Sequence, residues 1–405
     1  MQTAYFTICS RNYLAYALVL RNSLLAAEPG AAFFVYLADA PLEEGAPEGV
    51  EIIPVGELGL PDLEGMAFRY TVMEFNTAIK ADCFLDLLTR RGFDAAVYLD
   101  PDIKVFRPLG EVAAALEAGA SAVLTPHILG PLPEGASPGE IDILKSGAFN
   151  LGFAAFSAAP ESVSFLRWWA ARLHTDCYAA FERGLFVDQR FIDFAPGFLP
   201  NLHILRHQGY NVAYWNLARR RLTRTASGAV EANGQPLVFF HFSGVDPSDP
   251  DVFSRHTATA AGPEDGSIAN ALALDYRADL AAQGHAQWAG IAYAWSRFAD
   301  GSPILPPMRR RPPEVGTPAD WFKAPDLDWW NAPDPRIDQK NGRVITRLMM
   351  GFWELRPDLR EALPIGTEAG RRGLHNWFHR HGVEEYGAGE YAVRPGLAGV
   401  LRGWR

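Results

Sequence analysis

The chain has 405 residues, 48% of them hydrophobic, enough for one large domain with an appendage or for two or three domains. Its net charge of −10 argues against a nucleic-acid partner. The three cysteines, Cys9, Cys83 and Cys177, are widely separated, show no metal-ligand spacing and are odd in number, which gives no support to a disulfide framework and points to a reducing, cytoplasmic setting.

The opening "MQTAYFTICSRNYLAYALVLRNSLL" has no basic leader, and Arg11 and Arg21 interrupt its apolar run, so no signal peptide is expected. Nowhere does an apolar stretch reach the roughly 18 residues of a membrane span, which limits any membrane contact to a peripheral one at the inner membrane. Residues 4–10 ("AYFTICS") read as a buried strand, and 13–27 have helical periodicity up to the stop signal Glu28-Pro29-Gly30. Strands follow over 31–39 and 50–55, a helix over 71–92, and a fourth strand over 95–100. This alternation predicts an α/β fold with a largely parallel sheet. Farther on, a helix over 111–118, a strand over 121–127 and a Pro/Gly-rich loop over 129–140 are expected. A strand over 147–157, a helix over 161–181 and an apolar strand over 235–244 complete the series.

The stretch "AAVYLDPDIKV" carries the first chemical signal. An apolar strand ends in Asp100 and Asp102, with Pro101 restricting the backbone between them. Residues two apart in extended chain point to one side, so the carboxylates can converge. In open α/β sheets ligands bind outside the carboxyl ends of strands. Two adjacent carboxylates repel unless a cation lies between them, and oxygen ligands favour Mg²⁺ or Mn²⁺ shared with phosphate oxygens. An isolated Asp-x-Asp is more often a capping turn. Here "FFHFSG" supplies His241 as a third metal ligand after another apolar strand, with Gly244 permitting close backbone approach. "AFNLGF" places Asn150 beside Gly152, and "FVDQRFID" sets Asp188 next to Gln189.

In this order, "TICSRNY", "YLDPDIKV", "FNLGF", "VDQRF" and "HFSG" resemble the family 8 glycosyltransferases over about residues 3–256. The resemblance implies the GT-A type nucleotide-diphospho-sugar transferase fold, a Rossmann-like mixed sheet, here with a mainly helical C-terminal extension. It implies Asp100, Asp102 and His241 as metal ligands. Asn12 and Tyr13 would bind the nucleotide, Tyr13 by stacking on the base, with Thr7 and Cys9 of the same strand end beside them. Asn150 would bond the donor sugar, Asp188 and Gln189 would lie near the anomeric carbon, and Lys80 would touch the donor. The family's closing motif keeps His241 and Gly244 but lacks its Lys-Pro-Trp, and Arg255 is expected to replace that lysine. The acidic residue often found before the Asn-Tyr pair is missing, with Ser10 and Arg11 in its place.

The implied reaction moves a sugar from a nucleoside diphosphate, UDP favoured, to a hydroxyl with retention, as in bacterial surface polysaccharide or glycoconjugate synthesis. The acceptor would be a glycan, a lipid-linked saccharide or a protein, and a homodimer fits. Two other classes share part of the pattern: a non-catalytic nucleotide-sugar or glycan binding protein, and a sugar nucleotidyltransferase. The latter should carry a Gly-rich basic loop after the first strand, and "SRNYLAY" has no glycine.

The expected division is a catalytic domain over 1–260 and a helical accessory region over 261–405, with a Pro-rich linker around 302–326. The run Arg309-Arg310-Arg311 reads as a solvated turn, with an anionic lipid head or polysaccharide as the alternative. Helices are expected over 343–363, broken at Pro357, and over 371–387. The Trp-rich segments 321–331 and 349–355 suit packing or an acceptor groove.

Overall fold

The computed structural model describes residues 1–42, 46–249, 251–257, 267–314, 316–337, 344–388 and 391. The domain boundary expected at residue 260 lies outside the described residues. The chain divides into two compact units, one formed by 1–63 and 72–293, the other by 64–71 and 294–405.

Strands of the first unit are, in order, β1 (Thr3–Cys9), β2 (Ala32–Leu37), β3 (Glu51–Pro54), β4 (Ala95–Leu99), β5 (Ile103–Val105), β6 (Ala122–Pro126), β7 (Phe149–Ser157), β8 (Ala179–Ala180), β9 (Leu185–Phe186), β10 (Leu202–Ile204), β11 (Leu222–Arg224), β12 (Val230–Ala232), β13 (Gln235–Pro236) and β14 (Phe239–His241). The main sheet has seven strands in the order β10-β6-β7-β4-β1-β2-β3. The β1–β2, β2–β3, β1–β4 and β6–β10 pairs are parallel. Only β7 runs against its neighbours, β4 and β6. The expected α/β class therefore holds, as a mixed and mostly parallel sheet. The chain steps from β1 to β2 on one side and to β4 on the other, so the carboxyl ends of β1 and β4 flank a switch point of the kind where open sheets bind ligands.

Sequence explains this arrangement directly. β4 is Ala-Ala-Val-Tyr-Leu, buried throughout, and β7 is buried in all but its last residue, as strands covered on both faces must be. The helix Leu14–Ala27 packs Leu14, Leu20 and Leu24 into the same core. So does the helix Ser267–Ala282, through Leu272, Tyr276 and Leu280.

The helix expected over 71–92 is not continuous. It comprises Val72–Ala78, Lys80–Leu85 and a wider turn over Asp86–Arg90, with a break where Ile79 has φ −89° and ψ 0°. That break opens a new helix at the buried Lys80. The apolar run expected as one strand over 235–244 is two short strands: β13 joins the β11–β12 hairpin and β14 pairs with β5.

The second unit is helical among its described residues. Leu348, Met349, Phe352, Leu374 and Phe378 form its core with Phe68 and Trp330. Pro357 separates Arg347–Leu355 from Pro357–Ala362, as the sequence predicts. The basic run is not a solvated turn. Arg309 is 6% exposed and donates to the carbonyls of Ala67, Phe68 and Tyr70. The short helix Pro306–Arg310 within the Pro-rich segment carries it there.

Candidate metal and donor site

At Leu99 the chain leaves the sheet. The Asp100 N–H donates to the Gly152 carbonyl at 2.8 Å, and the Ile103 N–H donates to the Asp100 carbonyl at 3.1 Å, closing a tight turn around Pro101. β5 then pairs antiparallel with β14, and His241 falls opposite Ile103, the residue after Asp102. The short β5–β14 ribbon thus delivers an imidazole to a carboxylate pair more than a hundred residues away. His241 Nε2 lies 3.0 Å from Asp102 Oδ1 and 3.6 Å from Asp100 Oδ2. One potential ligand atom from each of the three residues falls within a 4.8 Å cluster.

Two carboxylate oxygens and one imidazole nitrogen suit Mn²⁺ or Mg²⁺ with further positions left for oxygen ligands. The backbone fits that demand. A Cβ on Gly152 would lie 2.3 Å from His241 Cε1, so only glycine leaves room for the ring here. His241 Nδ1 lies 3.3 Å from Asn211 Oδ1, and the Trp215 ring meets the imidazole edge-on at 5.1 Å. A partner on the second ring nitrogen fixes ring orientation. Burial alone would lower the His241 pKa, but attraction to Asp102 and then Asp100 raises it. Burial raises the Asp100 carboxyl, opposed by Lys80 and His241.

A buried polar network lies behind the cluster. Lys80 Nζ forms an ion pair with Asp188 Oδ2 at 2.5 Å, and both side chains are 2% exposed. Lys80 also donates to the Leu151 carbonyl at 2.8 Å and sits 4.1 Å from the Tyr98 ring centroid. The Tyr98 hydroxyl donates to Asp100 Oδ1 at 2.5 Å. Burial pushes the Asp188 pKa up, and Lys80 pulls it back. Gln189 Oε1 accepts the Leu151 N–H at 2.9 Å and the Asn150 amide at 3.2 Å, while Gln189 Nε2 donates to the Ser146 carbonyl. Asn150 Oδ1 accepts from the Gly152 N–H at 3.1 Å and from Asn211 Nδ2 at 3.0 Å. Its amide nitrogen also faces His127 Nε2 at 3.2 Å. The Asn150 side chain therefore has its bonding capacity filled from within the protein, and a direct sugar contact would break one of these bonds.

The first strand end is arranged differently from the sequence expectation. Thr7 is fully buried and Cys9 is 2% exposed, so neither presents surface to a ligand. Asn12 accepts from the Ser10 hydroxyl at 2.6 Å. Tyr13 stacks on Tyr16, ring centroids 4.5 Å apart, and lies within electrostatic reach of Asp102. Gly244 has φ 74°, where L side chains are strained, and a Cβ there would meet His256 at 2.5 Å. Its carbonyl accepts the Arg255 N–H at 2.9 Å. The Arg255 guanidinium stays 60% exposed, 3.8 Å from Asp246.

Three members of the site were not singled out from the sequence. Asp39 lies two residues beyond β2, much as Asp100 follows β4, and it accepts the Arg11 N–H at 3.1 Å. His127 follows β6 and is buried. Asn211 has φ 51°, a conformation that asparagine tolerates better than most residues. Its only sequence signal is an asparagine between two apolar runs.

No protein-family model matches the chain. It is 24% identical over 259 residues to the uncharacterized protein YfnF of Bacillus subtilis, which covers 60% of this chain and 82% of YfnF. Among solved structures, the galactosyltransferase LgtC in complex with donor and acceptor sugar analogs aligns at a TM-score of 0.37 and 14% identity, covering 66% of this chain and 99% of LgtC. The bifunctional glycosyltransferase WbbM aligns at a TM-score of 0.34 and 14% identity, covering 52% of this chain and 40% of WbbM. Among the described residues no helix is long and apolar enough to cross a membrane.

Proposed function

We propose that the chain is a metal-dependent glycosyltransferase of GT-A type, moving a sugar from a nucleoside diphosphate, UDP in the first instance, to an acceptor hydroxyl with retention. One observation carries the reading: Asp100, Asp102 and His241 converge at the carboxyl end of β4, at the switch point of the sheet. The order of sequence motifs around them supports it.

Asp100, Asp102 and His241 would hold Mn²⁺ or Mg²⁺, which when bound neutralises diphosphate charge and stabilises the leaving group. Tyr13 is the ring on which the base stacks, with Tyr16 supporting its other face. Lys80 and Asp188 neutralise one another, which leaves the Asp188 carboxylate a poor nucleophile and favours front-face transfer over double displacement. In the front-face route the leaving phosphate itself accepts the acceptor's proton, and the protein's task is alignment. Asp188 and Gln189 align the donor sugar, and Asn150 positions them as it fixes His127, Asn211 and the Gly152 backbone. The exposed Arg255 is the flexible cation for the diphosphate.

The test is incubation of the full chain with UDP-, GDP- and dTDP-sugars, with and without Mn²⁺, measuring released nucleoside diphosphate. Release is expected with one base, only with metal, and not from Asp102→Asn. Equal release from that variant would overturn the assignment.

A further inference from the structure

Three consecutive arginines, Arg219, Arg220 and Arg221, precede β11. A run of like charges normally spreads into solvent. Arg219 and Arg221 are exposed, but Arg220 between them is only 4% exposed. The backbone of the run is clamped by Asn233, which is held at φ 49°. Asn233 Oδ1 accepts the Arg221 N–H at 2.9 Å, and Asn233 Nδ2 donates to the Arg219 carbonyl at 2.8 Å.

Among the described residues the Arg220 side chain makes one hydrogen bond, from Nη1 to the Tyr210 carbonyl. Among the described residues no carboxylate pairs with it, and burial alone lowers its pKa to about 9. A guanidinium carries five donors, so most of this buried fork is uncommitted to the protein. A buried charge without a partner is strongly unfavourable.

The three arginines line a cavity of about 320 Å³ together with Ile268 and Ala269. Those two residues belong to the first turn of the 16-residue helix Ser267–Ala282. First-turn N–H groups have no acceptor inside their helix and carry the positive end of its dipole. A buried guanidinium without a carboxylate partner, two exposed ones and a helix N-terminus therefore meet at one cavity with no acidic side chain among the described residues of its lining. That combination matches a tetrahedral dianion with several oxygens better than a single carboxylate.

We propose that this cavity binds a phosphate group, with the Arg220 fork and the first turn of Ser267–Ala282 as its donors and Arg219 and Arg221 as its flanking charges. None of Asp100, Asp102 and His241 lines this cavity, and the proposal does not rest on the donor reading. Its phosphate can come from a soluble ester or from a lipid headgroup, and the experiment separates the two.

The full chain, in EDTA so that the metal cluster is empty, is titrated calorimetrically with inorganic phosphate and with acetate. In parallel it is floated with phosphatidylcholine vesicles, with and without phosphatidic acid. Saturable phosphate binding is expected, weakened about tenfold or more by the double substitution Arg219→Gln/Arg221→Gln, with acetate much weaker. Both residues are exposed and Asn233 holds only their backbone, so this variant should keep the wild-type melting temperature. Arg220→Lys, which keeps the charge but loses the fork, should also weaken binding. Flotation that needs phosphatidic acid and the arginines assigns the phosphate to a lipid; binding of inorganic phosphate without flotation assigns it to a soluble ester. No heat with phosphate, equal heat with acetate, or binding unchanged in the double variant would overturn the proposal.

Discussion

Gly152 is the position where a single methyl group should do most damage to the candidate metal cluster. Gly152→Ala adds a Cβ 2.3 Å from His241 Cε1, 2.6 Å from His241 Nδ1 and 2.9 Å from Asn150 Oδ1. Carbon atoms rest at roughly 3.5–4.0 Å, so the imidazole must retreat by about 1 Å or more. It has little room, being held by Asp102 at 3.0 Å on one nitrogen and Asn211 at 3.3 Å on the other. Overpacking of this kind costs about 1–3 kcal/mol. Because the displaced group is a metal ligand, Mn²⁺ affinity should fall by about 10- to 100-fold, as when a partner of a ligating histidine is lost. Urea unfolding of Gly152→Ala, His241→Ala and the double variant, all in EDTA, isolates the clash. With the ring gone the extra methyl is accommodated, so the double variant should be more stable than the sum of the singles by about 1 kcal/mol or more. Additivity within about 0.5 kcal/mol, or Mn²⁺ affinity unchanged in Gly152→Ala by calorimetry, would refute the reasoning.

Lys80→Met should destabilise the fold by about 3–5 kcal/mol in urea unfolding, because it leaves the buried Asp188 carboxylate without its ammonium partner. The double variant Lys80→Met/Asp188→Leu should recover much of that loss. Asp188→Asn should reduce sugar transfer severely while calorimetry finds nucleotide binding nearly intact; collapse of nucleotide affinity would count against an aligning role. Tyr13→Ala should weaken nucleotide binding by about 10- to 100-fold, one stacked base being worth about 1–3 kcal/mol. Burial pushes His127 down to about 4 from 6.5, so the folded state binds fewer protons than the unfolded chain between those values. Its contribution is then complete above about pH 6.5 and is lost as pH falls through 4, on the order of 3 kcal/mol in all, and His127→Gln should flatten that part of a stability–pH curve.

What the sequence showed best was chemistry placed at strand ends. An apolar run closing in Asp-Pro-Asp is legible because burial and charge conflict within a few residues, and the same conflict marks His241 after Phe239 and Phe240. Asp39 has that signature too, after "FFVYLA", yet it has no second acid beside it to single it out. The break at Ile79 was hidden because both helices around it keep one apolar periodicity, and only tertiary packing demands that Lys80 turn inward. Arg309 misled for the opposite reason. A basic run beside prolines reads as solvated, and nothing local shows that three backbone carbonyls near residue 68 await its guanidinium. Asn211 and the β5–β14 pairing lay beyond local reading because both depend on partners distant in sequence.

The reversed strand explains why the site can exist at all. β4 and β1 run parallel and end at the same edge of the sheet, which brings Asp100 and Tyr13 to that edge. Were β7 parallel to β4, its first residues, Asn150 to Gly152, would lie at the opposite edge. Running antiparallel, with Phe153 opposite Leu99, it starts where β4 stops. Its opening residues then meet the Asp pair: the Gly152 carbonyl accepts the Asp100 N–H, the Leu151 carbonyl accepts Lys80, and Asn150 gathers Gln189 and Asn211. The one strand that breaks the parallel pattern is therefore the element through which the carboxylates, the Lys80–Asp188 pair and the histidine are held in a common frame. Shifting its register by one residue would turn Asn150 and Gly152 to the other face and dismantle all three together.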